Sequence, residues 1–415
     1  MQYTINPPKT IDTTIKLPAS KSISNRVLII NALAGGNIIP QNISECDDTD
    51  VTLAALKNMP EVINIKAAGT AMRFLTAYLA ATPGKHIITG TERMKRRPIG
   101  LLVDALRMLG ADIEYVGEEG FPPLKIKGKT LMGGTIDVKG NMSSQFISAL
   151  LMIAPTMING LELRMTSEII SRPYIDLTLW TMREYGADAD WTSGNTIMVK
   201  PKMYKQRDYL IENDWSAASY WYEILALNGD ADSKVNLEGL MDGSKQGDSM
   251  IRYIFSMLGV KTKFESKEKG KPTTITLSRN MRKLPRMDYD FVSSPDLAQT
   301  VVTCCCAMNV PFRFEGLSTL KIKETDRILA LEQELKKLGF VLHDIDGKEM
   351  YWDGERCEAT MEPIDTYEDH RMAMAFAPLA IKYPGLKIND PQVVSKSYPK
   401  FWDDLRQAGF EITEE

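Results

Sequence analysis

A repeated pattern runs through most of the chain: an amphipathic segment with helical spacing ends in a glycine, and a short strand pattern follows it. The closing glycines are Gly110, Gly186, Gly259, Gly339 and Gly409. They recur about every 75 residues, which is the mark of a repeated structural unit. A weaker sixth copy begins at Asp47 and lacks the closing glycine. Because glycine suits the left-handed position that ends a helix, we predict six related helix-strand units.

A second kind of segment alternates with the first, beginning with small or polar residues and continuing as a helix that is apolar on most faces. The six copies begin near Ser20, Gly69, Ser143, Asp214, Ser294 and Asp369. Serine and aspartate are preferred at helix N-caps, and a helix that is apolar all round is a buried one. Alternating stretches such as 134–138 supply strands between them. The chain is therefore predicted to be an α/β protein in which each unit has one buried and one outer helix.

Length and charge narrow the functional classes. The 415 residues suffice for two or three domains. A net charge of −4 argues against a nucleic-acid-binding protein, which usually has a basic excess. The longest apolar stretch, 146–155, is too short to span a bilayer, and the N-terminus lacks the pattern of a signal peptide. We therefore expect a soluble cytoplasmic protein that uses neither nucleic acid nor membrane.

The cysteines and histidines do not indicate a metal site. Cys304, Cys305 and Cys306 lie within an apolar run and are predicted to pack in the core on a buried helix. The three histidines are far apart in the sequence. A zinc site is therefore not expected.

Positively charged and hydroxyl side chains recur at the beginnings of the predicted helices. They include Lys21, Ser22, Arg26, Arg73, Arg97, Ser143, Lys323, Arg327 and Arg371. Each has an ordinary explanation by itself, such as a helix cap, an ion pair or a solvated charge, and capping also explains Asp296. Together, beside helix N-termini that attract anions, they favour a ligand with several phosphate or carboxylate groups. The pair Gly35-Gly36 lacks the spacing of a phosphate-binding loop, so ATP is not indicated.

These motifs resemble those of the 5-enolpyruvylshikimate-3-phosphate (EPSP) synthase family of enolpyruvyl transferases. The matching stretches are 17–26, 68–73, 93–99, 143–146, 171–174, 321–327, 369–373 and Lys396, in family order. The resemblance implies two similar domains, each of three repeated α/β units with buried parallel helices (an inside-out α/β barrel), and an active site in the interdomain cleft. The implied boundaries are 1–19 with 214–415 for domain I and 20–213 for domain II.

The resemblance also implies a reaction: transfer of the carboxyvinyl group of phosphoenolpyruvate to the 5-hydroxyl of shikimate 3-phosphate, with release of phosphate. It implies a monomer that needs no metal and no cofactor. Asp296 resembles the base, Glu324 the acid, and Lys21 a third catalytic residue. Phosphoenolpyruvate contacts are implied for Lys21, Gly69, Arg97, Gln145, Arg327, Arg371 and Lys396. Shikimate 3-phosphate contacts are implied for Lys21, Ser22, Arg26, Ser143, Ser144, Gln145, Ser171, Tyr174, Asp296 and Lys323.

Three residues depart from the family pattern. Ala67 stands where asparagine is common, Phe74 where proline is common, and Thr319 where asparagine or histidine often lies. The nearest alternative is an enolpyruvyl transferase acting on UDP-N-acetylglucosamine, but Glu92 stands where that enzyme has its acid cysteine. RNA 3′-phosphate cyclases share a similar repeat, and the acidic charge balance disfavours them. A non-catalytic anion-binding relative is disfavoured because both Asp296 and Glu324 are present.

Overall fold

A computed structural model describes residues 1–266, 268–280 and 284–415. The chain forms two compact units, Met1–Pro18 with Glu212–Glu415 and Ala19–Ile211, which we call unit 1 and unit 2. Each has its own hydrophobic core. The sequence of unit 2 is therefore inserted into that of unit 1.

Helices of both kinds predicted from the sequence are present. The buried helices are α1 (Lys21–Leu33), α3 (Gly69–Ala81), α6 (Ser144–Ile153), α8 (Trp215–Leu227), α10 (Ala298–Met308) and α12 (His370–Phe376). The outer helices are α2 (Asp47–Asn58), α5 (Gly100–Met108), α7 (Arg172–Glu184), α9 (Ile251–Met257), α11 (Arg327–Lys337) and α13 (Phe401–Gln407). A further short helix, α4 (Glu92–Lys95), precedes α5.

In the described ranges of the chain, the strands form five sheets. Unit 2 contains β3 (Val62–Asn64), β4 (Gly84–Thr89), β5 (Asp112–Tyr115), β6 (Leu124–Gly128), β7 (Gly134–Val138), β8 (Leu161–Met165), β9 (Ala189–Ser193) and β10 (Thr196–Val199). Unit 1 contains β1 (Gln2–Asn6), β2 (Asp12–Lys16), β11 (Lys234–Met241), β12 (Val260–Phe264), β13 (Pro272–Arg279), β14 (Met287–Asp290), β15 (Phe312–Glu315), β16 (His343–Ile345), β17 (Glu349–Trp352), β18 (Leu386–Asn389) and β19 (Glu411–Glu414).

Four of the sheets share one topology. Their orders are β3-β4-β6-β5, β7-β8-β10-β9, β14-β15-β17-β16 and β2-β11-β13-β12, each with one parallel pair followed by two antiparallel pairs. A buried helix connects the two parallel strands in each case. In the last sheet all of unit 2 lies between β2 and α8. The predicted repetition is confirmed, and it includes the predicted strand at 134–138.

The remaining two repeats are less regular. In the fifth sheet, β1 pairs with β18 and β19, so the first strand belongs with the C-terminal part of the chain as expected. A parallel bridge from Ile364 to Ile388 takes the place of its fourth strand. In the repeat that contains α1 and α2, a single parallel bridge joins Gln41 to Leu210. This is the copy that is weakest in the sequence.

Helix ends follow the predicted chemistry. Ser20, Ser143, Asp214 and Asp369 each accept a hydrogen bond from the first turn of the buried helix that they precede. All five closing glycines have φ between 86° and 99°, a left-handed conformation that glycine adopts without strain. After α2, which lacks the glycine, Met59 takes the same role with φ 42°. The repeat therefore keeps its geometry there despite the missing glycine.

Core packing explains the cysteine triplet. Cys304, Cys305 and Cys306 lie on α10 and are all fully buried. Burial raises the pKa of each thiol, which makes the thiols unreactive. The predicted packing role is confirmed. In the part of the chain that the structure describes, no helix is both long and apolar enough to cross a membrane.

Candidate active site

Asp296 is the centre of a charged cluster in unit 1. It lies in the 3-10 turn Pro295–Leu297, directly before α10. Its Oδ1 accepts from Nη1 of Arg327 at 3.1 Å and lies 3.3 Å from Nζ of Lys323, and its Oδ2 accepts from Nη2 of Arg371 at 3.1 Å. Among the described residues no backbone N–H donates to it, so the capping explanation is wrong. The structure instead joins Asp296 to three of the predicted cations.

Arg327 connects this carboxylate to two others. Its side chain is 1% exposed. Nε and Nη2 bind the two oxygens of Asp369 at 2.7 and 3.2 Å, and Nη2 also donates to Oε2 of Glu324 at 2.8 Å. Burial by itself would lower the pKa of Arg327, but the charges of Asp369, Glu324 and Asp296 raise it. The guanidinium is therefore a permanently charged centre that fixes three carboxylates.

Glu324 lies between two cations. Its Oε1 is 3.1 Å from Nζ of Lys396, at the end of the 3-10 helix Pro391–Lys396, and its Oε2 accepts from Arg327. The side chains of Glu324 and Lys396 are 14% and 11% exposed. A carboxyl group in this position can exchange a proton with a ligand that replaces one of its cationic partners.

The segment around Glu324 differs from the sequence interpretation, in which the pattern 323–327 opens a helix. The helix begins only at Arg327, because Asp326 caps it by accepting from the backbone N–H of Leu329 at 3.2 Å. Lys323 and Glu324 therefore lie in a non-helical bend. This bend allows Lys323 and Arg327 to converge on one oxygen of Asp296.

The charge around Asp296 sets its protonation. Burial would raise the pKa of Asp296, but Arg371, Lys323 and Arg327 together outweigh burial and lower the pKa. The carboxylate is therefore ionised at neutral pH, and it can accept a proton readily only when an anion draws some of the positive charge away from it.

Asp248 is a second buried carboxyl group near Asp296, which the sequence analysis did not identify. It is 3% exposed and shares a short hydrogen bond with the hydroxyl of Ser216, in the first turn of α8. Burial and then the negative charge of Asp296 raise the pKa of Asp248 to about 6. It adds negative potential beside the proposed base.

In unit 2, Lys21 opens α1 and its Nζ lies 3.8 Å from Oδ2 of Asp48. Asp48 is buried at the start of α2, and its Oδ1 has no hydrogen-bond partner among the described residues. This partner of Lys21 was not predicted from the sequence either. A signal existed: Asp48 and Asp248 each lie eleven residues before the residue that ends an outer helix, Met59 or Gly259. Aligning the repeats would have paired them.

Arg26 is more deeply buried than an arginine that binds an anion at an open surface would be. Its guanidinium donates to Oγ1 of Thr178, Oγ of Ser148 and the carbonyl oxygens of Ser22 and Tyr174, at 2.7 to 3.2 Å. Burial lowers the pKa of Arg26 to about 10. These bonds use four of its five N–H groups, so one remains for a ligand.

Phe74, one of the departures from the family pattern, packs beside this arginine. Its ring centroid lies 5.5 Å from the Arg26 guanidinium carbon, and its side chain is 1% exposed. The phenylalanine is therefore part of the packing that holds Arg26.

Two arginines lie over the start of α3 because Gly69 has no side chain. A methyl group at Gly69 would lie 2.7 Å from Nη1 of Arg97 and 3.0 Å from Nη1 of Arg73. Nη1 of Arg73 donates to the Gly69 carbonyl at 3.0 Å. Nε of Arg97 is buried, and nothing in the described part of the chain accepts from it. The structure thus brings together Gly69 and Arg97, two of the predicted site residues.

The polar residues before α6 also reach α3. Ser143 caps α6 by accepting from the backbone N–H of Gln145 at 3.3 Å, and Ser144 is the first residue of the helix. The amide of Gln145 donates to Oγ1 of Thr70, also at 3.3 Å. All three residues of this stretch are half-buried. Gln145 therefore lies near the Gly69 end of α3.

Ser171 and Tyr174 begin α7. Ser171 is 5% exposed and has φ 54°, a left-handed conformation that non-glycine residues rarely adopt outside turns and functional sites. The carbonyl of Tyr174 accepts from Arg26 and from Thr178. Arg26 thereby links Ser22 on α1 to Tyr174 on α7, and Ser171 is the N-cap residue of α7.

Comparison with known proteins gives one consistent result. The family model described as EPSP synthase (3-phosphoshikimate 1-carboxyvinyltransferase) matches residues 5–64 and 58–405. A 3-phosphoshikimate 1-carboxyvinyltransferase from Bacteroides fragilis is 59% identical over 413 residues, which cover 99% of each chain. One from Colwellia psychrerythraea is 36% identical over 438 aligned positions, covering 98% of this chain and 99% of that one.

Solved structures agree at the level of the fold. An EPSP synthase from Acinetobacter baumannii superposes with a TM-score of 0.79 at 22% identity, with all of both chains covered. The enolpyruvyl transferase NikO from Streptomyces tendae superposes with a TM-score of 0.73 at 14% identity, covering 99% of this chain and 98% of that chain. Both likenesses support a two-domain α/β fold.

Proposed function

Because the chain belongs to the EPSP synthase family, we propose that the two clusters described above perform that family's reaction. The chain transfers the carboxyvinyl group of phosphoenolpyruvate to the 5-hydroxyl of shikimate 3-phosphate and releases phosphate. It is a transferase of the shikimate pathway, which leads to the aromatic amino acids. The site assignment rests mainly on Arg327, which donates hydrogen bonds to both candidate proton-transfer groups, Asp296 and Glu324.

The site residues are assigned to the two substrates, and Lys21 and Gln145 are assigned to both. We assign the phosphate and carboxylate of phosphoenolpyruvate to Lys21, Gly69, Arg97, Gln145, Arg327, Arg371 and Lys396. Shikimate 3-phosphate is assigned to Lys21, Ser22, Arg26, Ser143, Ser144, Gln145, Ser171, Tyr174, Asp296 and Lys323. Buried guanidinium groups with fixed partners support this assignment, since they are preorganised to bind pairs of carboxylate or phosphate oxygens.

The reaction needs one acid and one base. Asp296 accepts the proton of the 5-hydroxyl as its oxygen attacks C2 of phosphoenolpyruvate, while Glu324 donates a proton to the methylene carbon, C3. C3 becomes a methyl group and C2 carries both oxygen substituents. In the second step the bond from C2 to the phosphate oxygen breaks, a methyl proton returns to the carboxylate of Glu324, and the new enol ether forms. The proton held by Asp296 passes to the leaving phosphate, which regenerates the base.

Substrate binding activates the two carboxyl groups. The anionic groups of phosphoenolpyruvate compete with Asp296 and Glu324 for Arg327, Arg371 and Lys396, which these carboxylates hold at 2.8 to 3.1 Å in the structure. Because Arg371, Lys323 and Arg327 lower the pKa of Asp296, sharing the two arginines with a substrate raises the affinity of Asp296 for a proton. Basicity would thus increase only when the substrate is present.

We further propose that units 1 and 2 are the two domains of the family. The boundaries implied by the resemblance, 1–19 with 214–415 and 20–213, lie within two residues of those of the units. The chain would act as a monomer in the cytoplasm. The substrates would be small molecules, with no part for nucleic acid or membrane.

Phosphate release tests the acceptor. Purified protein is expected to release phosphate from phosphoenolpyruvate only when shikimate 3-phosphate is added, because the 5-hydroxyl is the attacking group. UDP-N-acetylglucosamine should not substitute for it, as Glu92 is exposed and paired with Lys95 at 2.7 Å and no cysteine stands there. Equal release with both acceptors would overturn the choice of acceptor.

Replacing Gly69 by alanine should weaken phosphoenolpyruvate binding. The added methyl would lie 2.7 Å from Nη1 of Arg97 and force the guanidinium to move. We expect KM for phosphoenolpyruvate to rise about tenfold, equivalent to about 1.4 kcal/mol, while KM for shikimate 3-phosphate changes little. Gly117→Ala is a matched control, since a methyl there meets no atom within 4 Å. Equal KM values for phosphoenolpyruvate in wild type and Gly69→Ala would show that Gly69 is not part of the binding site.

A further inference from the structure

Two consecutive non-glycine residues adopt the left-handed conformation directly before Asp369 in unit 1. Tyr367 has φ 53° and Glu368 has φ 55°. Such residues are rare, and a pair of them persists only where the surrounding structure holds it in place. We call residues 365–369 the Tyr367 turn. The turn leads into α12, whose second residue is Arg371.

A buried glutamate on α11 holds this turn from within. Glu334 is fully buried. Its Oε1 accepts from the hydroxyl of Tyr367 at 2.5 Å, and its Oε2 accepts from the backbone N–H of Asp365 at 2.9 Å. Oε2 also lies 2.7 Å from Nζ of Lys337. Both oxygens of the carboxylate are therefore used to fix the turn or its lysine partner.

Lys337 and β18 fix the start of the turn. Nζ of Lys337 donates to Oδ2 of Asp365 and to the carbonyl of Pro363, both at 2.9 Å. The amide of Asn389, on β18, donates to the other oxygen of Asp365 at 2.7 Å. The start of the turn is thus held by three groups on two elements.

The same helix also holds the end of the turn. Arg327 and Glu334 are seven residues apart on α11, just under two turns, so they lie on one face with about 10 Å between them. Arg327 binds both oxygens of Asp369, and Glu334 binds Tyr367 and Asp365. α11 therefore forms hydrogen bonds with both ends of the turn.

We propose that Glu334 and Tyr367 are positioning residues for phosphoenolpyruvate binding. Neither is assigned to a substrate. They hold the left-handed turn so that Asp369 binds Arg327, and so that Arg371, in the first turn of α12, donates to Asp296. The proposal rests on the function proposed above, in which Arg371 binds phosphoenolpyruvate.

Tyr367→Phe tests the proposal with the least change, since it removes one hydroxyl. The hydroxyl donates to Oε1 of Glu334 and also lies 2.9 Å from Oε1 of Gln333. Without these contacts the turn populates other conformations, and the apparent affinity falls with the fraction of molecules that remain competent. We expect KM for phosphoenolpyruvate to rise about tenfold, with kcat changed less than about threefold, as for the loss of a pure binding contribution.

Tyr222→Phe is the matched control. Tyr222 is fully buried on α8 in the same unit and shares one hydrogen bond of 2.7 Å with Thr262, far in sequence from the Tyr367 turn. It should lose comparable stability without a change in KM. If both variants raise KM equally, the effect of Tyr367→Phe is general destabilisation and the proposal fails.

A double-mutant cycle and hydrogen exchange complete the test. In an Arg371→Lys background, adding Tyr367→Phe should raise KM less than about twofold, because the two changes act through one guanidinium. In ligand-free protein, amides of 365–372 should exchange faster in Tyr367→Phe than in wild type or Tyr222→Phe. Unchanged exchange, or full additivity in the cycle, would contradict the proposal. A wild type without transferase activity would instead overturn the proposed function, and exchange would still report on the turn.

Discussion

Replacing Glu324 by glutamine, or Asp296 by asparagine, should lower kcat by ~10²–10⁴-fold, the usual range for loss of a general acid or base. Glutamine cannot donate a carboxyl proton to C3, and asparagine cannot accept the hydroxyl proton. Both replacements keep the size of the side chain. Single-turnover measurement of phosphate release at saturating substrates would give the rate of the chemical step.

Glu349→Gln is a suitable control for these two variants. Glu349 lies on β17 of the same unit and pairs with Arg313 at the surface, where the arginine side chain is 48% exposed. Its replacement should leave kcat unchanged, because exposed ion pairs contribute little. If Glu324→Gln and Asp296→Asn also turn over at the wild-type rate, the proposed acid and base are wrong.

Replacing Arg327 by leucine should both inactivate and destabilise the protein. The substitution leaves Asp369, which is fully buried, without its bidentate partner and removes one cation each from Asp296 and Glu324. Breaking a buried pair by removing one partner costs about 3–5 kcal/mol. Urea unfolding, followed by a probe in unit 1, should give a lower midpoint by the corresponding amount.

Arg313→Leu provides the comparison for that experiment, since it removes an arginine from an exposed pair. Its free energy of unfolding should change by less than about 1 kcal/mol. An Arg327→Leu protein with wild-type stability would show that the three carboxylates do not depend on the guanidinium as the structure indicates.

The repeat made much of the fold predictable. A closing glycine with positive φ and a capped, all-apolar helix are local signals. Both kinds of helix could therefore be predicted from the sequence in each repeat. Met59 shows the limit, because the same left-handed position is occupied there by a residue that gives no signal. The bridge from Gln41 to Leu210 joins segments distant in sequence, and no local pattern could reveal it.

Family membership and the reaction inferred from the motifs are confirmed by the comparisons. The roles assigned to individual residues stay predictions. Capping at Asp296 and a helix starting at Lys323 were wrong, since both interpretations used only local spacing, whereas charges from separate segments decide the geometry. Asp48 and Asp248 are recognisable only from equivalent positions in two repeats, and Glu334 was missed because a buried carboxylate resembles an ordinary helix residue until its partners are known.

The chemistry at the methylene carbon gives the most direct test of the proposed mechanism. In D₂O, addition followed by elimination passes through a methyl group that has gained one deuteron and then loses a proton or a deuteron. Mass spectrometry of the product should therefore find one deuterium in the transferred methylene group of part of the molecules, and Glu324→Gln should slow its appearance together with turnover. A product free of deuterium after complete turnover would show that C3 is never protonated and would contradict the account.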